Sequence, residues 1–356
     1  MTSSLHIIGS KHSGGAERFF ARLVTALNER GHAIHAVTPP RSMVKPLLSA
    51  DVPWSPVAMR GVWDLQSRYA IRKLARALRP DIVQTYMGRA TRLTRLQPGR
   101  SPVHVARLGG YYDLKGYRHA HAWIGNTRGI CDYLIGNGLP AERVFHIGNF
   151  VDAPAPVNPL QVDTLRRSLD MAPDALCLLA VGRLHPNKGY PDLLEAVAGL
   201  PRIIAGRPVH LVIVGGGPLD AELRNRAATL AITGHTHFAG WQTDIGPYYE
   251  LADVFVCPSR HEPLGNVILE AWSHGRAVVS TNAAGPSELI SPGDDGLLVP
   301  CADPAALRDA LTRLLDDAAL RARLGEAGRR KLRERHSREA VVDAYLGLYE
   351  TLRLTA

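Results

Sequence analysis

Two glutamates eight positions apart close the segment Glu262-Pro263-Leu264-Gly265-Asn266-Val267-Ile268-Leu269-Glu270. Carboxylates accept hydrogen bonds from paired hydroxyls, so one acid can face a ribose and the other a sugar ring. Pro263 and Gly265 shape a loop, and Asn266 is placed to start a helix predicted over Val267–His274, whose free amides suit a phosphate oxygen. Two acids beside a phosphate repel it unless cations intervene. Arg183 and Lys188 are candidates, in the glycine-bounded run Val181-Gly182-Arg183-Leu184-His185-Pro186-Asn187-Lys188-Gly189. One offers a fork of donors and the other a compact charge, a combination fit for a diphosphate. Unrelated helix-end acids and solvated surface cations are the plainer explanation of the same residues.

Other segments carry less. Gly14-Gly15 opens a helix directly after a strand, which serves either a tight turn or an anion facing the first helical amides. Neither it nor Gly215-Gly216-Gly217-Pro218 completes the Gly-x-Gly-x-x-Gly pattern of a dinucleotide site, which counts against a dehydrogenase. Asp113, His119 and His121 follow a predicted strand, and any of them can face a bound molecule; Asp113 follows two glycines and two tyrosines able to shape a pocket. Arg89, Arg92, Arg95, Arg100 and Arg107 form either a solvated basic face or a surface for an acceptor and a membrane. No Asp-x-Asp occurs, so the usual carboxylate platform for a nucleotide-bound divalent ion is missing.

These segments need elements to hold them. Strands are predicted at Leu5–Ile8, Ala33–Val37, Ile82–Thr85, Val103–Arg107, Trp123–Gly125 and Val144–Ile147, alternating with helices such as Ala16–Arg30 and Tyr69–Leu78. That rhythm means a parallel sheet covered on both faces. The proline-rich stretch Asn149–Pro159 reads as a linker. A second series follows at Leu176–Val181, His210–Val214, Thr236–Ala239, Val254–Cys257, Ala277–Ser280 and Gly296–Val299. In open parallel sheets ligands bind beyond the carboxyl ends of the strands, where the Arg183–Lys188 run lies. From Pro304 the pattern is helical, ending in the amphipathic segment Arg338–Leu354.

Chain length, 356 residues, favours two domains. Net charge is +9, unevenly spread: residues 1–156 hold 21 Lys and Arg against 9 Asp and Glu, the remainder 21 against 24. The basic half is suited to an anionic partner, whether phospholipid, acceptor or nucleic acid. Cys131, Cys177, Cys257 and Cys301 lack the close spacings of zinc or redox sites. The beginning of the sequence has no signal-peptide pattern and no segment reaches the length of a membrane span, from which a cytoplasmic location is expected.

In order and spacing, Gly14-Gly15, Gly182-Arg183-x4-Lys188-Gly189, Gly215-Gly216-Gly217-Pro218 and Glu262-x7-Glu270 resemble the retaining glycosyltransferases of family 4 along nearly the whole chain. The resemblance implies the α/β GT-B fold: two Rossmann-like domains, 1–155 and 156–337, with parallel sheets facing across a cleft, and the helix at 338–356 returning to the first. It implies that Arg183 and Lys188 hold the donor diphosphate, that Glu270 binds the ribose and that Glu262 contacts the transferred sugar. Gly14 and Gly15 then approach the phosphates from the other domain, Gly182 and Gly216 line the donor site, and amides at Leu264, Gly265 and Asn266 complete the cradle. Asp113 is the expected catalytic contact with the acceptor, and Arg89, Arg92 and Arg95 the expected acceptor or membrane surface. The implied activity transfers a hexose or N-acetylhexosamine from a UDP- or GDP-sugar to a glycan or glycolipid, in bacterial lipopolysaccharide or exopolysaccharide synthesis. It needs no metal, cofactor or nucleic acid, and includes peripheral contact with the inner face of the plasma membrane. A sugar-nucleotide epimerase of the same fold and a non-catalytic nucleotide-sugar-binding protein are the rivals.

Overall fold

The structure, a computed structural model, describes residues 2–12, 14–97 and 102–355; Arg100 lies outside them. The chain forms two compact units, Met1–Asp152 with His336–Ala356, and Ala153–Arg335.

The first unit carries strands β1 (Ser3–Ile8), β2 (Ala33–Thr38), β3 (Trp54–Pro56), β4 (Ile82–Tyr86), β5 (Val103–Leu108), β6 (Ala122–Gly125) and β7 (Val144–His146). They run in parallel in the order β3-β2-β1-β4-β5-β6-β7. The chain winds outward from β1 on one side, then returns to build on the other, so the order reverses between β1 and β4. Strand β3 escapes sequence reading because it is three residues long and ends in Pro56, a residue tolerated only at a sheet edge.

Helix Arg338–Leu354 belongs to this unit. Val341, Val342, Tyr345, Leu348, Tyr349 and Leu352 join Phe19, Phe20 and Leu23 of helix Gly15–Glu29 in one core. Tyr349 donates to Gln84 Oε1 at 2.7 Å, and Thr2 donates to Glu350 at 2.6 Å, tying the helix to the sheet. Buried polar groups are therefore matched in pairs across long sequence separations.

The second unit carries β8 (Leu176–Val181), β9 (Ile203–Ile204), β10 (Arg207–Val214), β11 (Thr236–Gly240), β12 (Val254–Cys257), β13 (Ala277–Thr281) and β14 (Leu297–Val299). Its parallel order is β11-β10-β8-β12-β13-β14, with the short β9 antiparallel to β10. Leu176–Ala180 are buried without a break, as expected of a strand covered on both faces. The reversal here lies between β8 and β12, whose ladder consists of Leu178–Val254 and Leu179–Phe255. The loops leaving those two strands are the two richest in candidate site residues. Between the units the irregular stretch is shorter than predicted: Phe150 is fully buried, and Asn158 begins helix Pro159–Ser168 with a capping box to Gln161.

Several histidines are locked into these cores. His6 lies between Tyr86 and Ser4, at 2.9 and 3.1 Å, and burial with the nearby His32 lowers its pKa to about 3. Burial, with the Arg202 charge second, lowers His235 to about 4. Burial also pushes His104 well down, helped by His119 and His121. The unfolded chain takes up protons near pH 6.5 while the folded imidazoles refuse them, so their stabilisation is complete above that pH and is lost as pH falls toward 3 to 4. A group as buried as His6 is expected to withdraw roughly 2 kcal/mol between pH 6.5 and 5. Melting temperature measured across pH 4 to 8 should be flat above about 7 and fall steeply below about 6.5.

Candidate functional site

In the second unit, three glycine loops mesh at the carboxyl edge of the sheet. Gly182 (φ 155°) and Gly215 (φ 145°) adopt backbone angles that disfavour a side chain, and a Cβ on Gly215 would lie 1.9 Å from the Gly182 carbonyl oxygen. Leu184 N donates to Gly216 O at 3.1 Å, so the two loops are held backbone to backbone. Gly189 is as tightly placed, its Cβ direction ending 1.9 Å from Pro258 O. Beside it, Arg260 N and His261 N both donate to Asn187 O, at 2.9 and 3.0 Å. Arg260 also clamps Asp192 with two bonds of 2.6 and 2.7 Å. The loops after β8 and β12 thus form one pinned assembly across the reversal point.

Within it the Lys188 ammonium donates to Glu262 Oε2, and Ser259 donates to the same oxygen at 3.3 Å. Burial alone lowers the pKa of Lys188, but the charge and hydrogen bond of Glu262 outweigh it, so the ammonium sits above its ordinary value and stays charged. The cation predicted for the phosphates and the acid predicted for the sugar are in direct contact. Arg183 differs: it is exposed and makes no hydrogen bond or ion pair among the described residues.

The helix following Glu262 runs Asn266–Ser273. Asn266 is its first residue rather than its cap. Gly265 takes the capping position in a left-handed conformation (φ 100°), without any side-chain hydrogen bond to the first turn. A glycine is favoured there because an L side chain rarely adopts that angle, and it leaves the helix's leading amides uncovered by a capping side chain. Gly285 presses on this loop from the segment after β13. Its N donates to Glu262 O at 2.8 Å, and a Cβ on it would come within 2.4 Å of the backbone of Leu264. Glu270, half-buried one turn into the helix, accepts a 3.3 Å bond from Tyr249, whose ring stacks on His274.

Ser259, Tyr249 and Gly285 are absent from the sequence-derived set. The Gly285-Pro286 pair follows β13, the neighbour of β12, and marks a third loop at the same edge. Tyr249 carries no local signal, because its link to Glu270 spans 21 positions on different helices.

In the first unit, Gly14 caps helix Gly15–Glu29 in an extended conformation with no side-chain bond to the first turn. The other side of the order reversal begins with Met87, whose φ of 65° is unusual for a non-glycine residue. Asp113 follows β5; its exposed carboxylate accepts from Lys115 N at 3.0 Å and lies 3.8 Å from Arg92. His119 is turned inward, its Nε2 bonded to the carbonyls of Thr91 and Thr94 at 2.9 and 2.8 Å. His121 accepts from His104 N at 3.1 Å. Both rings serve the packing around His104.

The basic face changes more. Arg89 is half-buried and donates to Gly9 O and Met59 O at 3.0 and 3.3 Å, so it braces the loop after β1 instead of forming an outer surface. Arg107 is buried, bonded to Tyr345 at 2.9 Å and to Asn149, over the ring of Phe19. Arg92 lies against Gly116, whose Cβ direction ends 2.1 Å from its Nε. Of the described arginines in that set, Arg95 alone is exposed.

The comparisons with known proteins agree with this architecture. Residues 13–153 match the family described as Glycosyltransferase Family 4, and residues 161–331 match Glycosyl transferases group 1. The chain is 36% identical over 339 residues to the lipopolysaccharide core biosynthesis glycosyltransferase LpsE of Rhizobium meliloti, covering 94% of this chain and 95% of that one. The chain belongs to glycosyltransferase family 4. It is also 33% identical over 341 residues to LpsD of the same organism, 95% of each chain being covered. Among solved structures, Anabaena HepE in complex with UDP and glucose superimposes with a TM-score of 0.84 at 19% identity, over 99% of this chain and 100% of that one. The fold of this family-4 glycosyltransferase is accordingly GT-B. No helix among its described residues is long and apolar enough to cross a membrane.

Proposed function

We propose that this glycosyltransferase moves a hexose or N-acetylhexosamine from a UDP- or GDP-sugar to a glycan or glycolipid acceptor, with retention of configuration and without a divalent ion, in lipopolysaccharide synthesis. The observation that carries the reading is the Lys188–Glu262 contact at the β8–β12 reversal, beside a helix start that no side chain caps. A charged ammonium, the exposed guanidinium of Arg183 and the amides of Leu264, Gly265 and Asn266 supply positive potential for a departing diphosphate. Glu270, oriented by Tyr249, takes the ribose hydroxyls, and Glu262 reaches the transferred sugar while sharing Lys188. Gly182 and Gly216 keep the floor of this site free of side chains. Gly14 and Gly15 present the first amides of their helix to the donor phosphates, and Asp113 meets the acceptor. The acceptor hydroxyl attacks from the face the diphosphate leaves; a donor phosphate oxygen takes its proton, so no separate nucleophile is required.

Support for the pathway comes from LpsE and LpsD, named for lipopolysaccharide core biosynthesis, and for the donor from HepE, solved with UDP and glucose. A thermal-shift panel of nucleoside diphosphates and their sugars tests the site, since ligands that bind only the folded chain raise its melting temperature. One diphosphate, UDP or GDP, should raise it in the presence of EDTA as much as in its absence. A shift dependent on added magnesium or manganese overturns the metal-free assignment, and no shift with any nucleotide overturns the donor.

A further inference from the structure

The first turn of helix Gly15–Glu29 carries an acid that the proposed chemistry leaves unused. Glu17 is 6% exposed, and it accepts no hydrogen bond and forms no ion pair among the described residues. Its Oε2 folds back over Gly14, 2.9 Å from the place a Cβ would take there. An acid at this helical position commonly returns to accept the amide of the capping residue. Here that bond is not made, and a buried carboxylate without a donor costs stability.

A second oxygen without a donor lies at the same edge of the sheet. Asn126, directly after β6, is 5% exposed, and its buried Oδ1 has no hydrogen-bond partner among the described residues. The Cβ direction of Gly109, the residue after β5, ends 3.5 Å from Asn126 Nδ2 and 3.8 Å from Arg107 Nη1. Next to it the ring of Tyr112 stands 3.3 Å from the Cβ direction of Gly110 and stacks on Tyr117, with centroids 6.0 Å apart and planes 9° apart. Burial raises the pKa of Tyr112, the Arg107 charge lowers it and the Glu17 charge raises it, so both charges lie within electrostatic reach of its hydroxyl. Glu17, Asn126 and Tyr112 thus gather around the loops that follow β1, β5 and β6, at the edge where such sheets take ligands.

Oxygens without donors call for a ligand that brings donors. A phosphate brings only acceptor oxygens and is repelled by a carboxylate. An ammonium answers Glu17, but cations already stand at this edge: Arg107 near Tyr112, and Arg92 3.8 Å from Asp113. A hydroxyl donates without carrying charge, and a sugar presents several hydroxyls on a ring that can pack against an aromatic wall. We propose that Glu17 and Asn126 bind hydroxyls of the sugar that receives the transfer, with Tyr112 against its ring, and that this sugar is uncharged. The inference deepens the reading of a transferase with a glycan or glycolipid acceptor, and rests on it for the identity of the ligand as acceptor. It sets a buried acid beside the exposed Asp113.

The test is saturation-transfer NMR on the full chain without nucleotide, using the methyl glycosides of glucose, galactose, mannose and N-acetylglucosamine and the 6-phosphates of the same glycosides. At least one neutral glycoside is expected to bind, and its phosphate to bind more weakly. Glu17→Gln should weaken that binding about 10- to 100-fold, the effect of losing a hydrogen bond to a charged group, and Asn126→Ala about five-fold. Because Glu17 has no donor among the described residues to lose, Glu17→Gln should keep or raise the melting temperature, whereas loss of an acid that capped the helix would lower it. The shift of melting temperature with UDP or GDP should not change. Unchanged glycoside binding by Glu17→Gln, tighter binding of the phosphates, or no glycoside binding by the wild-type chain overturns the proposal. Glycoside binding is scored without nucleotide and the nucleotide shift without glycoside, so a failure here is separate from a failure of the donor assignment.

Discussion

Lys188→Ala is expected to lower turnover by about 10²- to 10³-fold, the loss seen when one preorganised group that answers developing negative charge is removed. The structure adds a second consequence. Glu262 is buried and receives its charged hydrogen bond from Lys188, so the alanine variant leaves a buried carboxylate with Ser259 as its remaining side-chain donor among the described residues. Breaking such a pair costs about 3 to 5 kcal/mol when both members are fully buried, and less here because Lys188 retains partial exposure. A fall in melting temperature should therefore accompany the fall in turnover. Adding Glu262→Gln removes the stranded charge and should restore most of the melting temperature while activity stays low. Near-normal turnover in Lys188→Ala, with the protein folded, removes Lys188 from the chemistry.

Gly285→Val should disable donor binding although Gly285 itself is not among the residues assigned to the donor. Even the first atom of a side chain at Gly285 meets the N, Cα and O of Leu264 at 2.4 Å, and those are backbone atoms that cannot rotate aside. The loop bearing Leu264, Gly265 and Asn266 has to move, and the leading amides of helix Asn266–Ser273 move with it. A displacement of about 1 Å is enough to cost about 100-fold in kcat/KM where positioning drives the reaction. The measurement is kcat/KM for the donor together with the nucleotide-induced thermal shift. Both should collapse while the far-ultraviolet circular dichroism spectrum persists. Retention of both would mean that this loop does not hold the phosphates.

The residues of the candidate site could be grouped from the sequence because their types and spacing constrain one another. Glu262, Gly265 and Glu270 lie within one loop and one helix, and Arg183 with Lys188 within another loop, so local pattern alone groups them. The Lys188–Glu262 contact was not readable. It depends on β12 returning to lie beside β8 after β10 and β11 have been laid on the other flank, an order that local periodicity does not carry. The same limit explains the arginines. Summed charge marks the first half as basic, but Arg107 meets a tyrosine 238 positions away, and Arg89 spends its donors on two loop carbonyls. Exposure is decided by tertiary partners, and charge counting is blind to them. Helix Leu65–Leu78 illustrates the converse, since its first turn, outside the predicted Tyr69–Leu78, holds the apolar residue Leu65 that a sequence reader assigns to a core.

The contribution of Arg338–Leu354 to the core around Phe19 and Phe20 bears on how the molecule is made. Emerging from the ribosome, the earliest segment has to wait for helix Arg338–Leu354 before Tyr345 and Tyr349 can seal its interior, whereas the later unit has all its parts in hand sooner. Maturation of the first unit thus trails that of the second, and a nascent chain stalled before Arg338 would expose greasy helix surface to chaperones and proteases.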